Sequence, residues 1–259
     1  MSEESAKIFD LSGEASGKIS LSPVFKTPLR PDVIKRAVVA LQSHSFQPQG
    51  RDLHAGKRTT AESRGVGLGI SRVPRIKEGQ RAAFAPMTVG GRTTHPPVAE
   101  KDIRKGIPKK EKQLAMRSAI AATASKETVA SRGHIVYDVP HFPLVVTDEI
   151  QQLKRTREMK EALIRLGVWS DIYRVKESEN IRAGRGKTRG RAKKRGVGPL
   201  IVITQNQGIV QAARNLPGVD VTNISSLNVE LLAPGTHPGR LTLWTASALE
   251  EIDKLFGGS

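Results

Sequence analysis

The sequence contains no cysteine, which excludes a disulfide framework, a thiolate zinc site and a cysteine nucleophile. It has no apolar run approaching the ~18 residues that a membrane-spanning helix requires. The opening stretch, MSEESAKIFD, has neither a basic start nor an apolar core, so no secretory signal is expected. Aromatic residues make up 4% of the chain, too few for a sheet platform that stacks single-stranded bases. Acidic residues are also scarce: 25 Asp and Glu stand against 42 Lys and Arg, a net charge of +17 over 259 residues. That length suits one domain with an insertion, or two small ones. The expectation is a soluble, intracellular protein with a polyanionic partner, nucleic acid ahead of a membrane surface.

The charge is unevenly placed. Residues 43–109 hold 13 basic and 5 acidic residues, and residues 182–196 hold 8 basic and no acidic ones. Each segment carries a net +8, which leaves the other 177 residues nearly neutral. The chain therefore reads as a neutral body with two cationic segments.

The body has the texture of an α/β protein. Arg30-Pro31-Asp32 opens a helix with proline in its first turn, and Val33, Ile34, Ala37, Val38 and Leu41 form its apolar stripe. An Ala-rich helix is expected over 109–130, ending near Gly133. Strands are expected over 134–139 and 144–147, a helix over 148–166 closed by Gly167, and a further strand at 172–175. Beyond the basic run come strand 200–204, helix 209–215, strand 219–222, helix 225–232, strand 241–245 and helix 247–256. Ser247 and Glu250 match a capping box at the start of the last helix. Residues 8–11 and 18–21, around a Gly/Ser turn, suggest a hairpin. Strands alternating with helices point to a mostly parallel sheet flanked by helices, in a single globular domain built from residues 1–42 and 110–259.

Residues 43–109 do not fit that domain. They contain 9 Gly and 6 Pro, and their large apolar residues keep no period. A structureless stretch of this length is functional or disordered, and with so little to bury it should be disordered alone. Doubled back on itself, it would form two arms of about 33 residues, each reaching at most ~100 Å. The reading is a long extended internal loop, a basic probe inserted in the domain and anchored to a globular base.

Within the second cationic segment, GRGKTRGRAKKRG (residues 184–196) contains a fragment of a phosphate-binding loop. The full pattern needs glycine at Ile181, and basic residues continue where its helix should begin. Polyelectrolyte contact is the better reading, with Arg182, Arg185, Lys187, Arg189, Arg191, Lys193, Lys194 and Arg195 neutralising phosphates and the glycines letting the backbone follow a groove. A solvated basic loop and a nuclear-import signal are the plainer alternatives. GVGLGI (residues 65–70) lacks the sixth-position glycine of a dinucleotide fingerprint, so its glycines read as close-approach points for backbone or nucleotide. In GGRTTHPP (residues 90–97), Gly90 and Gly91 permit a turn, Arg92 and His95 can meet phosphate or base, and Pro96-Pro97 stiffen the exit. The six histidines, His44, His54, His95, His134, His141 and His237, show no metal-ligand spacing. No nucleophile is grouped with a base. No enzyme, cofactor or metal site is expected; the rival classes are a nucleotide-dependent enzyme and a general nucleic-acid chaperone.

Five strings carry a resemblance: GRDLHAGKRTTAESRGVGLGISRVPR (50–75), GQRAAFAPMTVGGRTTHPP (79–97), KKEKQLAMRSAIAATA (109–124), AGRGKTRGR (183–191) and LLAPGTHPGRLTLWTASALEEI (231–252). Together they are similar to the large-subunit ribosomal protein L four family in its archaeal form, over nearly the whole chain. The resemblance implies an α/β domain on the ribosome surface and a loop that threads into large-subunit ribosomal RNA. It also implies a role in early subunit assembly. The loop tip, about 67–85, would line the nascent-peptide exit tunnel beside a neighbouring ribosomal protein, with Arg72, Val73, Arg75, Lys77 and Arg81 facing the lumen and the nascent peptide. Stems 50–64 and 86–104 would hold the RNA. The implied RNA-binding set is Arg51, Lys57, Arg58, Arg64, Arg72, Arg75, Lys77, Arg81, Gly90, Gly91, Arg92, His95, Arg104, Lys105, Lys109 and Lys110, together with the eight basic residues of 182–196. No membrane partner is implied.

Overall fold

The computed structural model describes residues 5–257. β1 (Ser5–Phe9) and β2 (Ala15–Ser20) form an antiparallel hairpin, starting a few residues before the expected one. Its turn is tied by the Asp10 carboxylate, which accepts the Ser12 and Glu14 amides at 3.0 and 2.9 Å. α1 (Pro31–Ser43) starts with proline and Asp32 in its first turn, as its sequence dictates.

The helix expected over 109–130 is two helices, α2 (Lys109–Ala124) and α3 (Lys126–Ser131). Ser125 turns extended between them and its hydroxyl accepts the Thr128 amide at 3.3 Å, so it caps a new helix. Residues 134–139 are not a strand. The flanks of β3 (Leu144–Val146) are taken by other strands, and the amide of Ile135 bonds the Asp171 side chain instead. The expected helix 148–166 begins as a tight 3₁₀ turn, Asp148–Gln152, breaks, and resumes as α4 (Thr156–Arg165).

The strand expected at 172–175 is part of α5 (Trp169–Glu177). Val168, Ile172 and Val175 are all buried, a helical spacing that a four-residue window misreads as a strand. β4 (Asn180–Ile181) and β5 (Lys193–Lys194) make a two-stranded ribbon around a 3₁₀ turn at Arg185–Arg189, so the second basic segment is a hairpin and not an open loop. β6 (Leu200–Ile203), α6 (Ile209–Ala213), β7 (Asp220–Asn223), α7 (Val229–Leu232), β8 (Thr242–Thr245) and α8 (Ala246–Phe256) complete the chain. A short 3₁₀ turn, Ile224–Ser226, precedes α7 where one helix was expected. The capping box fails: Thr245 is the cap residue and makes no side-chain cap bond, while the Ser247 hydroxyl donates to Asp148 at 2.6 Å.

The main sheet runs β2-β1-β3-β8-β6-β7, antiparallel only at the hairpin. Side chains alternate between its two faces. Val145, Leu200, Val202 and Trp244 join one core with α1, α2 and α8. Leu144, Val146, Ile201, Ile203 and Leu243 join the other, with α4, α5 and α6. Both faces are covered, which explains why β3 and β6 read as continuous apolar runs. The Trp244 ring meets Phe25 edge-on at 6.0 Å.

The chain divides into two units, Gln42–Lys105 and the remainder. All the buried hydrophobic residues belong to the remainder. Each buried large aliphatic side chain stabilises a fold by about 1.5–3 kcal/mol, and Gln42–Lys105 draws nothing from that source. Polar backbone contacts shape it instead. Its two arms meet where the Arg51 amide donates to the Pro97 carbonyl at 3.2 Å, and where the Lys105 amide donates to the Ser43 hydroxyl at 2.9 Å. Further out, Glu62 and Arg75 exchange amide bonds of 3.1 and 3.0 Å, and Ala83 donates to Pro74 at 2.9 Å. A Cβ on Gly91 would lie 2.0 Å from the Ala85 carbonyl oxygen, so only glycine closes that turn.

Candidate nucleic-acid interface

The interface candidates form two groups, one in each unit. Within Gln42–Lys105, five arginines are committed to their own segment. Arg51 bonds the Thr93 hydroxyl, Arg58 pairs with Asp52, Arg64 donates to the Gly79 carbonyl at 2.9 Å, and Arg75 donates to the Gln80 carbonyl at 2.5 Å. The Arg92 guanidinium lies 5.5 Å from the centre of the Phe84 ring, a cation–π contact. These contacts fix a turn-rich backbone with little else to hold it. The Asp52 carboxyl is held below its ordinary range, first by the Arg58 hydrogen bond and then by the His54 amide.

Lys57, Arg72, Lys77, Arg81, Arg104 and Lys105 are exposed with no carboxylate at ion-pair distance among the described residues. His95 is exposed, and Val73 is half-buried. The Nε–H groups of Arg75 and Arg92 are shielded from water and have no acceptor. A buried donor without an acceptor is unfavourable.

Three glycines, read as close-approach points for backbone or nucleotide, meet no neighbouring backbone in this chain. Gly65, Gly67 and Gly69 have φ of +77°, +88° and +64°, and a Cβ on any of them would meet nothing within 4 Å. They are not points of close backbone approach; they supply a left-handed conformation that other residues resist. Around them Val66 and Leu68 are exposed, and beyond them Met87 and Val89 are more than four-fifths exposed, at 83% and 86%.

The second group is the ribbon of β4 and β5. Every basic side chain of 182–196 is exposed. Lys193 reaches Glu179 at 2.5 Å, and the other seven have no carboxylate partner among the described residues. Seven uncompensated cations over so short a segment make a strongly positive surface. Lys109 and Lys110 stand exposed on the first turn of α2, with Glu111 turned to Arg36 at 2.8 Å.

The base of this ribbon is anchored by polar groups that residue spacing did not single out. Asp171 is fully buried; it accepts the Arg174 Nε–H at 2.9 Å and the Ile135 amide at 3.0 Å, and its other oxygen meets His134 Nδ1 at 2.9 Å. Burial is the largest influence on His134 and, with the charges of Arg174 and Arg132, lowers its pKa against the raising effect of the Asp171 contact. For Asp171 burial acts upward, but the hydrogen bonds from His134 and Arg174 win and its pKa is lowered. Arg174 continues to the Val197 carbonyl at 3.0 Å, just past the ribbon. The ribbon thus leaves the sheet unit from a pinned strand end. Arg240, only 1% exposed, donates to the carbonyls of Gly198 and Leu231 at 2.8 and 3.0 Å and to Asp220 at 2.5 Å. Its position in the PGTHPGR string was visible in the sequence, but its burial was not.

Residues 19–255 match the model of the ribosomal protein L4/L1 family. The chain is 48% identical over 249 residues to the large ribosomal subunit protein uL4 of Methanosphaera stadtmanae, which covers 96% of each chain. It is likewise 48% identical over 253 residues to the protein of that name from Saccharolobus islandicus strain L.S.2.15, covering 97% of this chain and 95% of the relative. Since the match runs through the sheet unit, the glycine-rich segment and the basic ribbon alike, the chain belongs to the ribosomal protein L4/L1 family.

Proposed function

We propose that the protein is a structural constituent of the large ribosomal subunit, acting in the cytoplasm, and that it binds large-subunit ribosomal RNA through two surfaces. It is not an enzyme: membership of a ribosomal protein family makes its role structural. The observation that carries the RNA reading is the contrast between its two units. Gln42–Lys105 follows a defined course, presents cations along its length and has no hydrophobic residue buried. A segment of that kind gains its stability from a partner, and RNA phosphate is the partner its charge selects.

In this reading the sheet unit is the anchor, and its basic ribbon neutralises phosphates at the RNA surface. The internal segment is ordered as the RNA folds around it, early in subunit assembly. Its arms hold RNA through Arg51, Lys57, Arg58, Arg64, Arg92, His95, Arg104 and Lys105, with Lys109 and Lys110 following. Its tip, 67–85, contributes Arg72, Val73, Arg75, Lys77 and Arg81 to the wall of the nascent-peptide tunnel, next to neighbouring proteins.

Chemical footprinting of deproteinised large-subunit RNA, with and without the protein at near-physiological salt, tests this. A compact set of protections, part of it lost when Gln42–Lys105 is replaced by a short linker, is the expected result. Diffuse, salt-sensitive protection along the whole RNA would mean a general nucleic-acid chaperone and refute the reading.

A further inference from the structure

The sheet unit contains a third cationic feature, separate from the two basic segments. An open cavity of about 460 Å³ is lined by Leu29, Thr128, Ser131, Arg132, His237 and Pro238. Arg132, at the end of α3, gives one N–H to the Pro234 carbonyl at 2.9 Å and another to the His237 carbonyl. A guanidinium has five N–H donors, so this grip orients the group and leaves three for a ligand. Among the described residues no carboxylate lies at ion-pair distance from Arg132. The nearby acids are already committed, Asp171 to His134 and Arg174 and Asp220 to Arg240. Burial first, and then the charges of Arg240 and Arg174, lower the Arg132 pKa to about 10. It stays protonated, in a local field that favours an added anion.

The turn that holds Arg132 is itself strained. Thr236 has φ +75°, next to Gly235 at +71°, and a β-branched residue is rarely found in that region. Such a conformation is energetically unfavourable and occurs preferentially at ligand clamps. Here it turns the Pro234 and His237 carbonyls onto one guanidinium and brings His237 to the cavity wall. Gly239 packs the same turn on α3: a Cβ there would lie 2.7 Å from the Thr128 carbonyl oxygen. The remaining lining residues are Thr128 and Ser131, which carry hydroxyls, and the apolar Leu29 and Pro238. That pairing suits a phosphate with a sugar and base attached better than a bare ion.

We propose that this cavity binds one phosphodiester of the ribosomal RNA backbone, with Arg132 as the phosphate fork and His237, Leu29 and Pro238 against the attached nucleoside. The proposal rests on the RNA-binding reading and adds to it a contact site on the sheet unit formed by residues outside the basic ribbon. The test uses the full-length protein and deproteinised large-subunit RNA, with dissociation constants measured over a salt series. Arg132→Gln should weaken binding severalfold and lower the salt slope by about one unit, while Arg132→Lys should keep the slope.

Because Arg132 also ties down a turn, Ser131→Glu provides a second variant. Ser131 is exposed and its hydroxyl donates only to the Thr128 carbonyl of its own helix. A carboxylate there would neutralise Arg132 without breaking its carbonyl bonds, and should reproduce the loss. If both variants, shown to be folded by their urea midpoints, bind with wild-type affinity and slope, the proposal is overturned. It is equally overturned if RNA binding is unchanged but docking of another subunit protein is lost, which would assign the cavity to an acidic peptide. Should Arg185→Gln/Lys187→Gln/Arg189→Gln leave the slope unchanged as well, the RNA reading itself fails; if only the ribbon variant lowers it, the cavity proposal alone fails.

Discussion

Removal of charge from the ribbon turn gives the sharpest test of the polyelectrolyte argument. Arg185, Lys187 and Arg189 lie on the 3₁₀ turn between β4 and β5, are exposed, and have no carboxylate partner among the described residues. Each phosphate contact on duplex nucleic acid contributes about 0.9 to the slope of log affinity against log salt. Replacing all three by glutamine should therefore reduce the slope by about 2.7, which near ~0.15 M salt corresponds to roughly a hundredfold weaker binding, with ~1 M taken as the point where the counterion effect vanishes. The substitutions remove no buried contact, so unfolding stability should stay within about 0.5 kcal/mol. Filter binding to deproteinised large-subunit RNA over a salt series measures the slope, and urea unfolding checks the fold. Lys193→Gln is the internal control: its ammonium is already paired with Glu179, so it should change the slope less than any one of the three. A folded triple variant with an unchanged slope would refute the assignment of the ribbon to phosphate.

Other outcomes follow from the packing. Replacement of Gln42–Lys105 by a short Gly/Ser linker should leave the urea midpoint of the sheet unit nearly unchanged, because that segment contributes no buried hydrophobic residue; loss of cooperative unfolding would contradict this. Arg240→Leu should destabilise the protein by about 3 kcal/mol in urea titration, since buried carbonyls of Gly198 and Leu231 lose their donor. The pKa of His134 is lowered in the fold, so the unfolded chain binds the extra proton. Stability should be complete above the unfolded value of about 6.5 and decline as the pH falls from there through the folded pKa. Thermal melts of His134→Gln should lose that decline below about pH 6.5. Gly91→Ala should disrupt the turn at 85–91, where the added methyl would meet the Ala85 carbonyl, and limited proteolysis near Met87 should speed up.

Composition and short-range pattern already determined much of this protein. Its two cationic segments follow from counting charges, and the parallel sheet follows from apolar runs such as Leu200–Ile203 recurring between helical stretches. Pro31 at a helix start and the Gly90-Gly91 turn were legible because each depends on local backbone chemistry alone. Three-dimensional packing decided what local rules leave open. Residues 134–139 are kept out of the sheet because β3 already has β1 and β8 beside it. Ile172 and Val175 are helical because the core on that face accepts a helix. Ser247 bonds Asp148, 99 residues away, instead of capping its own helix. The Arg132 cavity, too, brings together residues from three separated stretches of chain, and a strained turn that no spacing rule encodes. Local propensity is settled within a few residues, whereas burial and ion pairing depend on which distant groups the fold brings into reach.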